Sequence, residues 1–202
     1  MRTKGAWERF YEGRPRPWGG AVEMPSIPPG SSVLELGCGG GRLLLPVLRR
    51  GTARRLVGVD FARTSLVQLA KDATGMLVQA DAAFLPFRDG IFDTVLCRHL
   101  IGHLMEDGRR AAASEVLRTL KKGGRAFFEV FSTADARSGK GKRIEEGTFL
   151  RGDGITHHYF EQQELQGLFS GASSVTVKVH RWNEKAGAAM MERESFSAEI
   201  LK

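Results

Sequence analysis

The sequence predicts an α/β fold, a doubly wound and mainly parallel sheet with helices on both faces. Apolar strand-like runs near 32–37, 55–60, 76–80, 92–97 and 124–131 alternate with helical stretches near 41–50, 63–73 and 107–121. Such alternation implies parallel neighbours joined by right-handed crossovers. A second observation is local. The first run, Ser32 to Leu36, passes directly through Gly37-Cys38-Gly39-Gly40-Gly41 into Arg42-Leu43-Leu44-Leu45: a strand, a turn almost free of side chains, then a helix. The composition suits one domain with a full core, since 42% of the 202 residues are apolar and 26% charged.

In chain order, residues 6 to 13 read as a short helix with Trp7, Phe10 and Tyr11 on one face. Pro15, Pro17, Pro25, Pro28 and Pro29 then hold the chain extended up to the first strand, so residues 1–30 are expected to form a helix and an extended lid. Residues 31–202 form the domain proper. The glycines of the first turn permit positive φ and let a ligand lie against the backbone, and the helix start is expected to offer free amide donors. Val57-Gly58-Val59-Asp60 is a second short strand ending in a carboxylate, which either caps the next helix or binds ribose hydroxyls. Asp81 follows the third strand and either caps a turn or holds a ligand, whereas Asp93 precedes an apolar strand and reads as structural. After the fifth strand, Ser132 to Gly154 is glycine-rich and charged, and is expected to be a long loop within a substrate-side insertion spanning 132–160. A helix near 161–170 and strands near 174–182 and 193–200 complete the chain.

The turn could belong to either of two cofactor classes, and spacing separates them. A dinucleotide fingerprint needs a third glycine where Arg42 or Leu44 stands. Glu35-x-Gly37-x-Gly39-x-Gly41 instead resembles motif I of the class I S-adenosylmethionine-dependent methyltransferases. The resemblance continues through Asp60, through Asp81-Ala82-Ala83-Phe84-Leu85-Pro86-Phe87 with Phe92-Asp93-Thr94-Val95, and through Leu120-Lys121-Lys122-Gly123-Gly124, where Lys122 stands in place of the usual proline. It covers roughly Ser32 to Phe131 in the family's motif order. The family implies a Rossmann-like seven-stranded sheet whose last strand is antiparallel. It also implies S-adenosyl-L-methionine as donor and S-adenosyl-L-homocysteine as product.

Carried over residue by residue, the resemblance makes Glu35, Gly37, Cys38, Gly39, Gly41, Asp60, Phe61, Asp81, Ala82, Cys97, Arg98 and His99 the cofactor-binding set. Asp60 would take the ribose and Asp81-Ala82 the adenine. The family places the methyl acceptor after the fourth strand, here Cys97-Arg98-His99-Leu100-Ile101-Gly102-His103. An oxygen or amine acceptor must lose a proton, so His99 and His103 are candidate general bases, or simply contacts to the donor. Arg14-Pro15-Arg16-Pro17-Trp18 resembles the entry segment of some small-molecule methyltransferases, in which Trp18 would line the cofactor site; otherwise it covers the sheet edge.

The missing motifs narrow the acceptor. The Asn/Asp-Pro-Pro-aromatic turn of nucleobase amine methylation and a Pro-Cys nucleophile are both missing, which favours a small molecule. A net charge of +7 and a pI near 9.8 keep RNA open, although the basic residues are scattered and also solvate a surface. An RNA or protein methyltransferase, or a non-catalytic partner subunit that only binds the donor, are the alternatives. His157-His158 has no third ligand nearby, so no metal site is expected. No apolar run reaches the roughly 18 residues needed to cross a bilayer, and Cys38 and Cys97 have no paired-cysteine spacing. A soluble, cytoplasmic protein with no membrane partner is expected; its oligomeric state is not legible.

Overall fold

The computed structural model describes residues 2–14, 23–73, 75–187 and 189–202. Its main sheet has seven strands: β1 (Ser32–Leu36), β2 (Arg55–Asp60), β3 (Met76–Gln79), β4 (Phe92–Arg98), β5 (Leu120–Phe131), β9 (Ser174–Ala186) and β10 (Ala189–Leu201). Their spatial order is β3-β2-β1-β4-β5-β10-β9. β1 pairs in parallel with both β2 and β4, whereas β10 runs antiparallel to β5 and to β9. Strand order therefore reverses between β1 and β4, and a crevice opens there at the carboxyl edge. The mainly parallel sheet with an antiparallel last strand is the predicted architecture.

Period-two alternation in β1 sends side chains to two separate layers. Leu34 and Leu36 pack with Val57, Val59 and Val95 beneath α4 (Glu106–Thr119) and α5 (Gln162–Leu168), through Ala112, Val116 and Leu165. Val33 points the other way, to Leu44, Val47, Leu66 and Leu69 of α2 (Leu44–Arg50) and α3 (Arg63–Leu69). Glu35 shares that second side and is buried. Helix α1 (Arg2–Glu12) lies against α3, where Glu8 accepts from the amides of Arg63 and Thr64 at 2.8 and 2.9 Å.

Three expectations are corrected. The helix after the first turn starts at Leu44 rather than at 41, because residues 40–43 form turns. Lys121 to Gly124 do not precede β5 as a separate turn but bulge out of it: Leu120 pairs with Phe92, and the ladder resumes at Thr94 opposite Arg125. The stretch 132–154 is not a long loop. It contributes β6 (Lys142–Glu145) and β7 (Thr148–Leu150), which with β8 (Thr156–His158) form a small antiparallel sheet. Strands of three or four residues carry too little alternation to be read from sequence, and their tight turns rest on glycines such as Gly147, at φ +63°. Arg109 of α4 fastens this sheet through Glu145, 3.4 Å away, and through Thr148 Oγ1, to which its Nη1 donates at 3.5 Å.

Candidate active site

A cavity of about 2360 Å³ opens along the carboxyl ends of β1, β2, β4 and β5 and continues past the sheet to Ser31, Asp93 and residues 121–125 at its other edge. Every sequence-predicted site residue among the described ones lines it: Glu35, Gly37, Cys38, Gly39, Gly41, Asp60, Phe61, Asp81, Ala82, Cys97, Arg98, His99 and His103. Trp18 lies outside the described residues.

The glycine turn works differently from the sequence expectation. Four of its five amides are already engaged. Gly37 and Cys38 donate to the Val59 carbonyl at 2.8 and 3.0 Å, Gly39 to Asp60 Oδ2 at 2.9 Å and Gly41 to the Cys38 carbonyl at 2.7 Å. What the turn offers is missing side chains. Gly37 and Gly39 have φ of +68° and +48°, and a Cβ on them would meet Leu100 Cδ1 at 2.6 Å and Tyr11 Oη at 2.4 Å. The start of α2 faces the Glu35 carboxyl group, whose charged form the Leu43 and Leu44 amides favour. Burial pushes Glu35 up to about 8 despite those amides, with the Asp60 charge adding to the rise. Glu35 Oε2 is buried without a hydrogen-bond partner.

Asp60 ties β2 to the turn, accepting from Gly39 on Oδ2 and from Ala62 on Oδ1, both at 2.9 Å. Each carboxylate oxygen keeps a lone pair for a further donor. Burial raises Asp60 to about 6, opposed by these amides. Asp81 is exposed and accepts from the Ala83 amide at 2.9 Å, while Ala82 beside it is buried. Asp93 binds the Ser32 amide and Lys121 at 2.8 and 2.7 Å, a structural role as read from the sequence.

Across the crevice, Arg98 donates to Glu129 at 2.8 Å. His99 has φ +60°, a left-handed conformation that costs a non-glycine residue about 1–3 kcal/mol. Its ring stacks on Phe131 at 4.3 Å and its Nε2 lies 3.5 Å from Glu129; burial lowers its pKa against the pull of that carboxylate. His103 Nδ1 lies 2.8 Å from the Thr156 carbonyl, which accepts only, so Nδ1 carries the proton and Nε2 the lone pair. Thr156 Oγ1 donates back to the His103 carbonyl at 2.7 Å. Burial lowers His103 to about 4, opposed by the Thr156 carbonyl, so the imidazole is neutral at physiological pH. Burial also raises the Cys97 thiol to about 12 and keeps Cys38 protonated, which removes a thiolate nucleophile.

Several wall residues carried no assigned role in the sequence. Trp7, Phe10 and Tyr11 of α1 reach the cavity, with the Trp7 ring edge-on to His103 at 4.8 Å. Their i, i+3, i+4 spacing was the available signal. Phe131, Arg137, Asp153 and His157 line it from β5 and the inserted segment. His158, by contrast, is held by Thr148 Oγ1 at 2.7 Å and Glu164 at 2.9 Å, away from the cavity wall.

Residues 33–124 match a family model described as a methyltransferase domain. A protein of Encephalitozoon cuniculi named as a methyltransferase is 32% identical over 176 residues, which cover 81% of this chain and 79% of that protein. The chain belongs to the class I S-adenosylmethionine-dependent methyltransferases. A methyltransferase of Xenopus tropicalis named for carboxymethyluridine 34 of tRNA is 32% identical over 148 residues; the match takes in 71% of this chain but only 22% of that protein. The fold agrees with a Methanosarcina mazei S-adenosylmethionine-dependent methyltransferase, at a TM-score of 0.74 and 19% identity over 90% of this chain and 99% of that one. The wall of this methyltransferase fits the family's donor: a glycine floor with no room for side chains, two carboxylates at the strand ends, and a buried, unpartnered Glu35 oxygen suited to an ammonium group. Among the described residues no helix is long and apolar enough to cross a membrane.

Proposed function

We propose that this methyltransferase binds S-adenosyl-L-methionine along the Gly37–Gly41 floor and transfers its methyl group to a small molecule, releasing S-adenosyl-L-homocysteine. The observation that carries this reading is convergence: the ends of β1, β2 and β4 and the residues after β3 bring Glu35, Asp60, Asp81 and Cys97–His99 onto one cavity. Asp60 takes the ribose hydroxyls, Asp81 and Ala82 the adenine with Phe61 beside it, Glu35 the amino group, and Cys97 and Arg98 border the sulfonium. When bound, the donor supplies an electrophilic methyl group. The chain's own residues align the acceptor, exclude water and take its proton. His103 is the better placed base, because Thr156 fixes its tautomer with Nε2 available. His99 is clamped by Phe131 and shapes the pocket. Residues 1–30 serve as a lid through α1, and the 132–160 insertion closes the acceptor side.

Calorimetry with S-adenosylhomocysteine, followed by labelled methyl transfer from S-adenosylmethionine to fractionated metabolites, tests the proposal. Absence of donor binding by folded protein overturns it. An RNA acceptor is the second reading, favoured by the tRNA substrate for which the Xenopus relative is named and by the net charge of +7. Label entering RNA, with salt-sensitive binding, would establish it instead. Two free, buried cysteines suit a reducing cytoplasm.

A further inference from the structure

Beyond the donor wall, a cluster of cations at the end of β5 has no role in the reading above. His99 stacks on the Phe131 ring, and two guanidinium groups lie against the same ring, Arg137 at 4.1 Å and Arg193 at 4.9 Å from its centre. One carboxylate orients both. Asp135, whose side chain is 0% exposed, accepts from Arg137 Nε on Oδ1 at 3.1 Å and from Arg193 Nε on Oδ2 at 2.7 Å. Glu184, half exposed at the rim, pairs with Arg193 Nη1. The Arg193 side chain is only 4% exposed, yet its Nη2 has no hydrogen-bond partner, and neither has the buried Nη2 of Arg137. Both arginines line the cavity that holds His99 and His103. The separation of 58 positions between Asp135 and Arg193 hid this cluster from the sequence.

Guanidinium forks preset by a buried carboxylate, with donors left unfilled, match the planar or tetrahedral oxygens of an anion. Asp135 and Glu184 together offset the two guanidinium charges, and Glu129 is already engaged by Arg98, so the subsite rests on the two unfilled Nη2 donors rather than on surplus charge. We propose that Arg137 and Arg193 form an oxyanion subsite that holds a carboxylate or phosphate group of a small-molecule methyl acceptor. This assignment rests on the reading of the cavity as a methyl-transfer site. Phe131 contributes by fixing the cations through its ring face rather than by touching the anion.

The test uses sodium benzoate and inorganic phosphate as probes. Each is titrated calorimetrically into the full chain saturated with S-adenosylhomocysteine, and into Arg137→Gln and Arg193→Lys variants. One probe is expected to bind the parent protein. Arg137→Gln should weaken it by about tenfold, the scale of one charge-assisted bond, while S-adenosylhomocysteine affinity stays unchanged. Arg193→Lys keeps the charge but loses the fork and should weaken the same probe. Binding of benzoate alone identifies a carboxylate, and of phosphate alone a phosphate. If neither probe binds, or Arg137→Gln binds as the parent does, the subsite is overturned. Loss confined to an oligoribonucleotide also overturns it, in favour of RNA. Failure of S-adenosylhomocysteine itself sinks the donor reading separately, and the probes titrated without it still decide the subsite.

Discussion

Asp60 shows how one side chain serves both fold and ligand. Its two oxygens bind the Gly39 and Ala62 amides, so it shapes the turn that the donor lies on while keeping a lone pair on each oxygen for the ribose. Asp60→Ala is expected to weaken S-adenosylhomocysteine binding by about 1.5–3 kcal/mol, the scale of charge-assisted hydrogen bonds, measured by calorimetry. Asp60→Asn, which keeps one carbonyl acceptor, should lose less. His103 makes a different prediction. With Nδ1 committed to Thr156 and the ring neutral above about pH 4, its Nε2 is available across the neutral range. His103→Ala should lower kcat by about 10²–10⁴-fold with little change in S-adenosylhomocysteine affinity. The parent's kcat/KM profile should show no limb near pH 6.5 from this residue, and a limb that vanishes in the variant would refute the assignment.

Elements that declare themselves locally were legible in the sequence; those built by distant contacts were not. β1, the glycine turn and β2 were readable because a five-residue, mostly apolar strand and positive-φ glycines leave a signature within ten positions. The use made of the turn was not readable, because Val59, Asp60 and Tyr11 complete it from other elements. The inserted sheet escaped for the opposite reason: its strands are as short as three residues, and Arg109, Glu145 and Thr148 secure it across 36 and 39 positions of chain. Its dependence on one turn can be tested. Gly147 has φ +63°, and a Cβ there would sit 2.9 Å from the Tyr159 carbonyl oxygen. Gly147→Ala should cost about 1–3 kcal/mol in denaturant unfolding. Because β8 carries His157 to the cavity and Thr156 to His103, turnover should suffer more than donor affinity; the reverse pattern would detach this sheet from the acceptor side.

The whole molecule carries a pH signature set by groups that burial has moved in opposite directions. Between pH 4 and 6.5 the unfolded chain protonates histidines that the folded chain keeps neutral, since burial lowers His103 to about 4 and His157 to about 3. That contribution to stability rises with pH and levels off about one unit above 6.5, where the unfolded histidines finish titrating. Asp60 and Glu35 act the other way, because burial raises them to about 6 and about 8, so the folded state holds protons that the unfolded state has released. Below pH 6 the two effects oppose each other. From about pH 7 to 8 Glu35 outweighs the histidines, and stability should fall by up to about 1 kcal/mol, the slope easing from its limit of about 1.4 kcal/mol per pH unit as the Glu35 pKa is reached. Urea unfolding at four pH values measures the slope. Glu35→Gln, which keeps the side chain's shape and a carbonyl acceptor without a charge to bury, should flatten it and stabilise the free protein at pH 8. The same variant should bind S-adenosylhomocysteine more weakly, because the ligand's ammonium group prefers the ionised carboxylate. For the parent, donor affinity should therefore improve as pH rises toward 8 while stability declines. A Glu35→Gln variant that is no more stable at pH 8 would show that this carboxyl group does not titrate within the fold as its burial requires.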